Sequence, residues 1–153
     1  MNKIILVAGS PNTGKTTTTN TLIAKLINDG YNIDELANDY RFWGKTGKSG
    51  ENNYSGDVIL SKGGKKILIV SYGDTIYWLD KILTEENLKK VDTVVCCSHA
   101  TRGKTIFNYF NNLTEKWGKE GVKVIPLFKN LLSHSEIKDV ENDLFAELIK
   151  DLL

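Results

Sequence analysis

Residues 3 to 28 read as strand, glycine-rich turn and helix in direct succession, an order that restricts the chain to folds in which a strand feeds straight into a helix. Lys3-Ile4-Ile5-Leu6-Val7 is an apolar run rich in β-branched residues and bounded by glycine, the pattern of a strand buried on both faces. From Thr17 onward Leu22, Ile23, Leu26 and Ile27 recur at helical spacing, and this helix is expected to end near Asp29-Gly30. Between the two lies Gly9-Ser10-Pro11-Asn12-Thr13-Gly14-Lys15-Thr16, a complete G-x-x-x-x-G-K-[S/T] pattern.

Each position of that pattern has a physical reason. Gly9 and Gly14 permit dihedrals and close approaches that a Cβ obstructs, so consecutive N–H groups can turn inward around phosphate oxygens. A helix starting near Gly14 adds unpaired N–H groups and the positive end of its dipole. Lys15 is expected to reach β- and γ-phosphates, the Thr16 hydroxyl to bind Mg²⁺, and Thr17 to lie near an α-phosphate. Thr17, Thr18 and Thr19 are poor helix formers, so packing must hold this first turn.

Over residues 3–28 the chain resembles the P-loop NTPase superfamily. The resemblance implies a three-layer α/β/α P-loop NTPase fold, binding of ATP with Mg²⁺ through Gly9, Ser10, Pro11, Asn12, Thr13, Gly14, Lys15, Thr16 and Thr17, and phosphoryl transfer. It implies no particular acceptor.

With 153 residues the chain can bury roughly 68–70 % of its unfolded surface, enough for one domain spanning 1–153. Net charge is +1 with both signs interspersed, so no basic field marks a nucleic-acid surface. No apolar segment approaches membrane-spanning length, and a cytoplasmic protein is expected. Cys96 and Cys97 are adjacent on a predicted strand, where neighbours point to opposite faces, so both are expected to be core residues rather than ligands of a shared metal.

Tyr31–Asp34 reads as a short strand or a connection, and residues 38–56 as a long polar loop. Asp57–Ser61 and Lys66–Ser71, joined around Gly63-Gly64, read as a hairpin that sets an antiparallel strand at the edge of a mainly parallel sheet. Thr75–Leu83, Glu85–Lys90 and Lys104–Trp117 read as helices, and Asp92–Cys97 and Val122–Leu127 as strands. The last helix opens on a capping-box pattern, Ser133-His-Ser-Glu136, and carries Ile137, Val140, Leu144, Leu148 and Leu152 along one apolar face.

In such alternating folds ligands bind beyond the C-terminal ends of the strands, so candidate chemistry is sought there. The strand ending at Ser71 lacks the acid that usually completes an apolar run on the magnesium side of this superfamily. Asp74 is the nearest acid and is assigned that catalytic and metal role; it can also cap the following helix, alone or in addition, and if it only caps, another acid such as Asp39 or Asp57 would serve the metal. Arg102 and Lys104 stand at a predicted helix start, where cations oppose the dipole unless an anion is present. Arg102 is therefore assigned to clamp phosphate and stabilise charge during transfer. Arg41, the only other arginine, lies in the 38–56 loop beside Phe42 and Trp43, where it serves either an acceptor or base, or merely the loop.

The last strand ends without a guanine-reading Asn/Thr-Lys-x-Asp, so guanine specificity is not expected. Three readings follow: a small kinase-like phosphotransferase acting on a small-molecule acceptor, an ATP hydrolase working as a switch, and a nucleotide-binding module with little turnover.

Overall fold

A computed structural model describes residues 2–10, 13–34, 42–45, 54–71, 76–99, 108, 112, 115, 122–129 and 135–153. Its elements in chain order are β1 (Lys3–Gly9), α1 (Lys15–Asn28), β2 (Asn32–Ile33), β3 (Phe42–Lys45), β4 (Tyr54–Gly56), β5 (Val58–Lys62) and β6 (Lys65–Val70). Then follow α2 (Ile76–Ile82), α3 (Glu85–Lys89), β7 (Thr93–His99), β8 (Lys123–Lys129) and a final helix, here α4 (Ser135–Leu152).

Six strands form one sheet in the order β2-β5-β6-β7-β1-β8. β6, β7, β1 and β8 run parallel; β5 is antiparallel to β6, and β2 to β5. The predicted hairpin is present, with Gly63 and Gly64 at φ +58° and +83° in its turn. The antiparallel strand is not at the edge, however, because the two residues of β2 pair with Ser61 and Leu60 and take that place.

Side chains alternate strictly through the sheet. Ile4, Leu6, Leu68, Val70, Val94 and Cys96 point to one face and pack with Leu79, Ile82, Leu83 and Leu88 of the α2–α3 region. Ile5, Val7, Ile67, Ile69, Val95 and Cys97 point to the other, against Leu22, Ile23 and Leu26 of α1 and Ala146 and Ile149 of α4. Helices thus cover both faces of the sheet. Each fully buried leucine or isoleucine here contributes about 1.5–3 kcal/mol. The two cysteines are buried on opposite faces, as strand geometry requires.

α1 ends where expected. Gly30, at φ +89°, donates to Ile27 O and Tyr31 donates to Leu26 O, the paired bonds of a Schellman stop. α3 is capped by Thr84, whose hydroxyl accepts the Asn87 N–H at 3.3 Å. Two predicted strands are longer than expected, β7 reaching His99 and β8 reaching Lys129. Pro126 fits β8 because that strand lies at the sheet edge, where a missing N–H costs no ladder bond.

Two expectations need correction. Residues 38–56 contain β3 and β4, an antiparallel pair with an irregularity between Phe42 and Gly44, so this stretch is not simply a loop. The apolar face predicted for α4 is not the face turned inward: Ile137, Val140, Leu144 and Leu148 are exposed, while Asn142, Ala146 and Ile149 are buried. The small Ala146 allows close approach to α1, and Asn142 finds a hydrogen-bonding partner there, which spacing of apolar residues alone does not register. The predicted helix at 104–117 lies outside the described residues except Asn108, Asn112 and Glu115, which are helical and exposed.

Candidate functional site

The sheet brings the C-terminal ends of β6, β7, β1 and β8 to one edge. Gly9, the last residue of β1, is paired with His99 on one side and Lys129 on the other. A Cβ on Gly9 would stand 2.6 Å from the Thr13 hydroxyl and 2.8 Å from Lys129 O, so this position is closed to any other residue. The chain then turns, with the buried Thr13 hydroxyl donating to Ser10 O at 3.0 Å.

Gly14 begins α1 in the left-handed region, φ +82°, and no side chain caps the helix there. No acid occupies the first turn either. Neither a capping side chain nor an acid of its own first turn answers the leading N–H groups of α1 and the positive end of its dipole. Gly14 is also fixed from outside, since a Cβ would lie 2.4 Å from Asn142 Oδ1 of α4.

Lys15 is buried, and its ammonium donates to two loop carbonyls, Gly9 O at 3.1 Å and Ser10 O at 2.9 Å. The side chain folds back across the loop that precedes it. An anionic ligand entering this loop could take over the ammonium by replacing neutral carbonyl acceptors with charged oxygens, a stronger class of hydrogen bond.

The threonine run divides its labour. Thr16 donates to Ser71 O at a long 3.4 Å, an acceptor that a metal-bound hydroxyl could retain. Thr17 is exposed. Thr18 is buried and donates to Asn142 Oδ1 at 3.1 Å. Thr19, also buried, reaches Ser71 Oγ at 3.0 Å and Thr16 O at 2.9 Å, with Cys97 Sγ at 3.8 Å. Poor helix formers are thus held by tertiary bonds to β6 and α4, as the sequence required.

Ser71 in turn is held by a carboxylate. Its N–H donates to Asp57 Oδ1 at 2.7 Å, and Asp57, between β4 and β5, is fully buried. An acid is therefore present beside the end of β6, delivered by the neighbouring antiparallel strand rather than by β6 itself.

Behind the loop Lys129 is buried, with Glu141 Oε2 at 3.2 Å in a geometry short of a hydrogen bond and the Phe145 ring 4.3 Å away. Burial lowers the Lys129 pKa, opposed by the attraction of Glu141.

Of the expected site residues, Gly9, Ser10, Thr13, Gly14, Lys15 and Thr16 come together, and Thr17 adjoins them. Pro11, Asn12, Arg41, Asp74 and Arg102 lie outside the described residues; Asp74 follows Ser71 by three positions and Arg102 follows His99 by three. Sequence reasoning missed Asn142, because the apolar spacing of α4 sets it on the side away from the predicted inward face. It named Asp57 only as a reserve, although an acid directly ahead of the apolar run Val58-Ile59-Leu60 was a signal. No protein-family model, curated protein or solved structure matches this chain. Among the described residues no helix is long and apolar enough to cross a membrane.

Proposed function

We propose that the chain binds ATP with Mg²⁺ at the loop Gly9–Thr16 and transfers its γ-phosphoryl group to a small-molecule acceptor, as a P-loop phosphotransferase. The observation that carries the reading is the pairing of an uncapped, acid-free start of α1 with a buried lysine lying across the same loop. That arrangement suits a polyanion better than any neutral ligand.

In this reading the loop amides and α1 hold the phosphates, Lys15 neutralises the β- and γ-oxygens, and Thr16 supplies a hydroxyl to the metal. When bound, Mg²⁺ would be held on the protein side by the Thr16 hydroxyl and would offset the charge of the phosphates. Asp74 completes the metal side and Arg102 holds the transferring group. Asp57 keeps Ser71 oriented toward Thr16. ATP should bind at least as tightly as GTP. The serine that ends the β6 run supports a second reading, a nucleotide-binding module with little turnover.

The test couples calorimetry to an assay of ADP and free phosphate across a panel of nucleosides, nucleoside monophosphates and small metabolites. Mg²⁺–ATP affinity should fall at least tenfold in Lys15→Ala, and ADP should rise sharply with one acceptor while free phosphate stays low. Unchanged affinity in Lys15→Ala removes the phosphate-loop reading. Equal ADP and phosphate in every well favours the hydrolase, and ATP binding without ADP favours the binding module.

A further inference from the structure

Asn142 is a neutral residue between two acids. Glu141 and Asp143 adjoin it on α4, a helix with six acids against two lysines. Each neighbouring acid is matched by a lysine of another element, Glu141 by the buried Lys129 at 3.2 Å and Asp143 by Lys25 at 2.9 Å. Of the three, the uncharged one is set against Gly14 and Thr18 at the start of α1. There its Oδ1 accepts the Thr18 hydroxyl at 3.1 Å, and a Cβ on Gly14 would stand 2.4 Å from Oδ1 and 3.0 Å from Nδ2.

Aspartate has nearly the same shape as asparagine and would accept from Thr18 equally well, so the choice of the amide calls for a reason. Burial opposes a carboxylate here, since Asn142 is 5 % exposed. The Thr18 hydroxyl and the positive end of the α1 dipole favour one. Asp57 shows that this fold accommodates a fully buried carboxylate where it receives a hydrogen bond, there from the Ser71 N–H at 2.7 Å. What an aspartate at position 142 would forfeit is room for a second anion beside it.

We propose that Asn142 is a positioning residue of the phosphate loop, kept neutral so that the start of α1 is left to a polyanion from outside. The proposal rests on the reading of Gly9–Thr16 as a phosphate loop and adds to it a residue of a distant element. The amide has two effects. By contacting Gly14 and holding Thr18, four positions apart on α1, it fixes the direction in which the first N–H groups of the helix point. By carrying no charge, it leaves the field of the helix end undiminished for the ligand.

Lys129 and Lys25 belong to the same arrangement. They take up the charges on either side of Asn142, so that a helix rich in acids meets the loop through a neutral group. The ligand class follows from this sorting. A carboxylate in place of the amide would repel every charge of an incoming polyphosphate, and the repulsion grows with the number of phosphates.

The experiment is calorimetry on the full chain with inorganic tripolyphosphate and with ATP, both in Mg²⁺, at low and at high salt, for wild type, Lys15→Ala, Asn142→Asp and Asn142→Ala. Asn142→Asp keeps the shape and the acceptor for Thr18 but adds a charge. At low salt it should bind tripolyphosphate about tenfold or more weakly than wild type, and the deficit should shrink as salt rises, because the added repulsion is screened. Asn142→Ala releases Gly14 and Thr18 without adding charge, and should weaken binding about threefold or more, by the same factor at both salt concentrations. Wild-type affinity in either variant overturns the proposal, as does an Asn142→Asp deficit that salt leaves unchanged, which a merely structural amide would give. Should Asn142→Asp not fold, Asn142→Ala decides alone. Wild-type binding that Lys15→Ala abolishes, with both Asn142 variants undisturbed, leaves the phosphate-loop reading standing and removes only the role of Asn142; absence of binding in wild type removes both.

Discussion

Asp57 and Ser71 face each other across two antiparallel strands, with the serine N–H held by the buried carboxylate at 2.7 Å. Ser71 also receives hydroxyl bonds from Thr16 and Thr19, so the carboxylate, the end of β6 and the first turn of α1 are linked. The two roles of that carboxylate, acceptor and charge, are separable. Asp57→Ala removes the acceptor of the buried Ser71 N–H and should destabilise by about 1–3 kcal/mol, measured by urea unfolding. Asp57→Asn retains an acceptor, so its stability loss should be smaller. If the charge serves a metal on Thr16, Asp57→Asn should weaken ATP binding more in Mg²⁺ than in EDTA. Equal weakening in both would confine Asp57 to structure.

Gly14 is constrained twice, by its positive φ and by the nearness of Asn142. Gly14→Ala should destabilise by at least about 2 kcal/mol, since a left-handed alanine costs roughly 1–2 kcal/mol and its methyl group also overlaps the Asn142 amide. Asn142→Ala clears the overlap but deprives Thr18 of its acceptor. The double variant should therefore be less destabilised than the two single losses combined, by about 0.5–3 kcal/mol in denaturant titrations. Simple additivity would show that α4 does not press on the loop.

The Lys129–Glu141 pair gives a pH signature on the basic side. Burial lowers the Lys129 pKa below its usual 10.5, so in the window between the lowered value and 10.5 the unfolded chain holds a proton that the folded chain does not. Lys129 should therefore make stability rise with pH through that window. Lys129→Met alone leaves Glu141 without its cation and should cost about 1–3 kcal/mol. Adding Glu141→Leu should recover most of that loss and abolish the rise, because an apolar pair can replace a buried ion pair without net cost. Thermal unfolding between neutral and strongly basic pH checks both.

On the acid side the relevant group is Glu147. Its hydrogen bond with Lys25 lowers its pKa below the ordinary 4.5, and Glu147 and Asp143 in turn raise that of Lys25. A lowered carboxylate contributes stability that is fully present above the unfolded value and is lost as pH falls through the folded one. Lys25→Met should thus lower stability above about pH 5 and change little where Glu147 is protonated, which flattens the acid limb of the stability profile. An unchanged acid limb would show that this exposed cluster carries no net stability, as many surface pairs do.

The parts of this molecule legible in the sequence were those set by local chemistry. Gly30 announced the end of α1, Gly63-Gly64 the hairpin, and the apolar run of residues 4–8 the central strand, because each depends on its immediate neighbours. Less legible was whatever joins distant residues. β2 is too short to carry a period, so its place at the sheet edge could not be foreseen. The inward face of α4 was hidden because Asn142 is chosen for Thr18, 124 positions earlier, and no hydrophobic pattern encodes a hydrogen bond of that span. Asp57 was obscure for a related reason, since its partner lies on the facing strand. Within the candidate site the motif identified the loop, while the groups that brace it came from β5, β6 and α4.

That bracing has a consequence for how the protein is made. The segment bearing Gly9, Gly14 and Lys15 is synthesised ahead of its supports, since the strand that closes one flank of β1 ends at Lys129 and the amide against Gly14 belongs to residue 142. At about 5–20 residues per second, roughly 6–25 s separate the birth of the loop from the arrival of its last support. During synthesis the nascent chain holds the motif without its finished surroundings, and α4 is the element whose docking completes them.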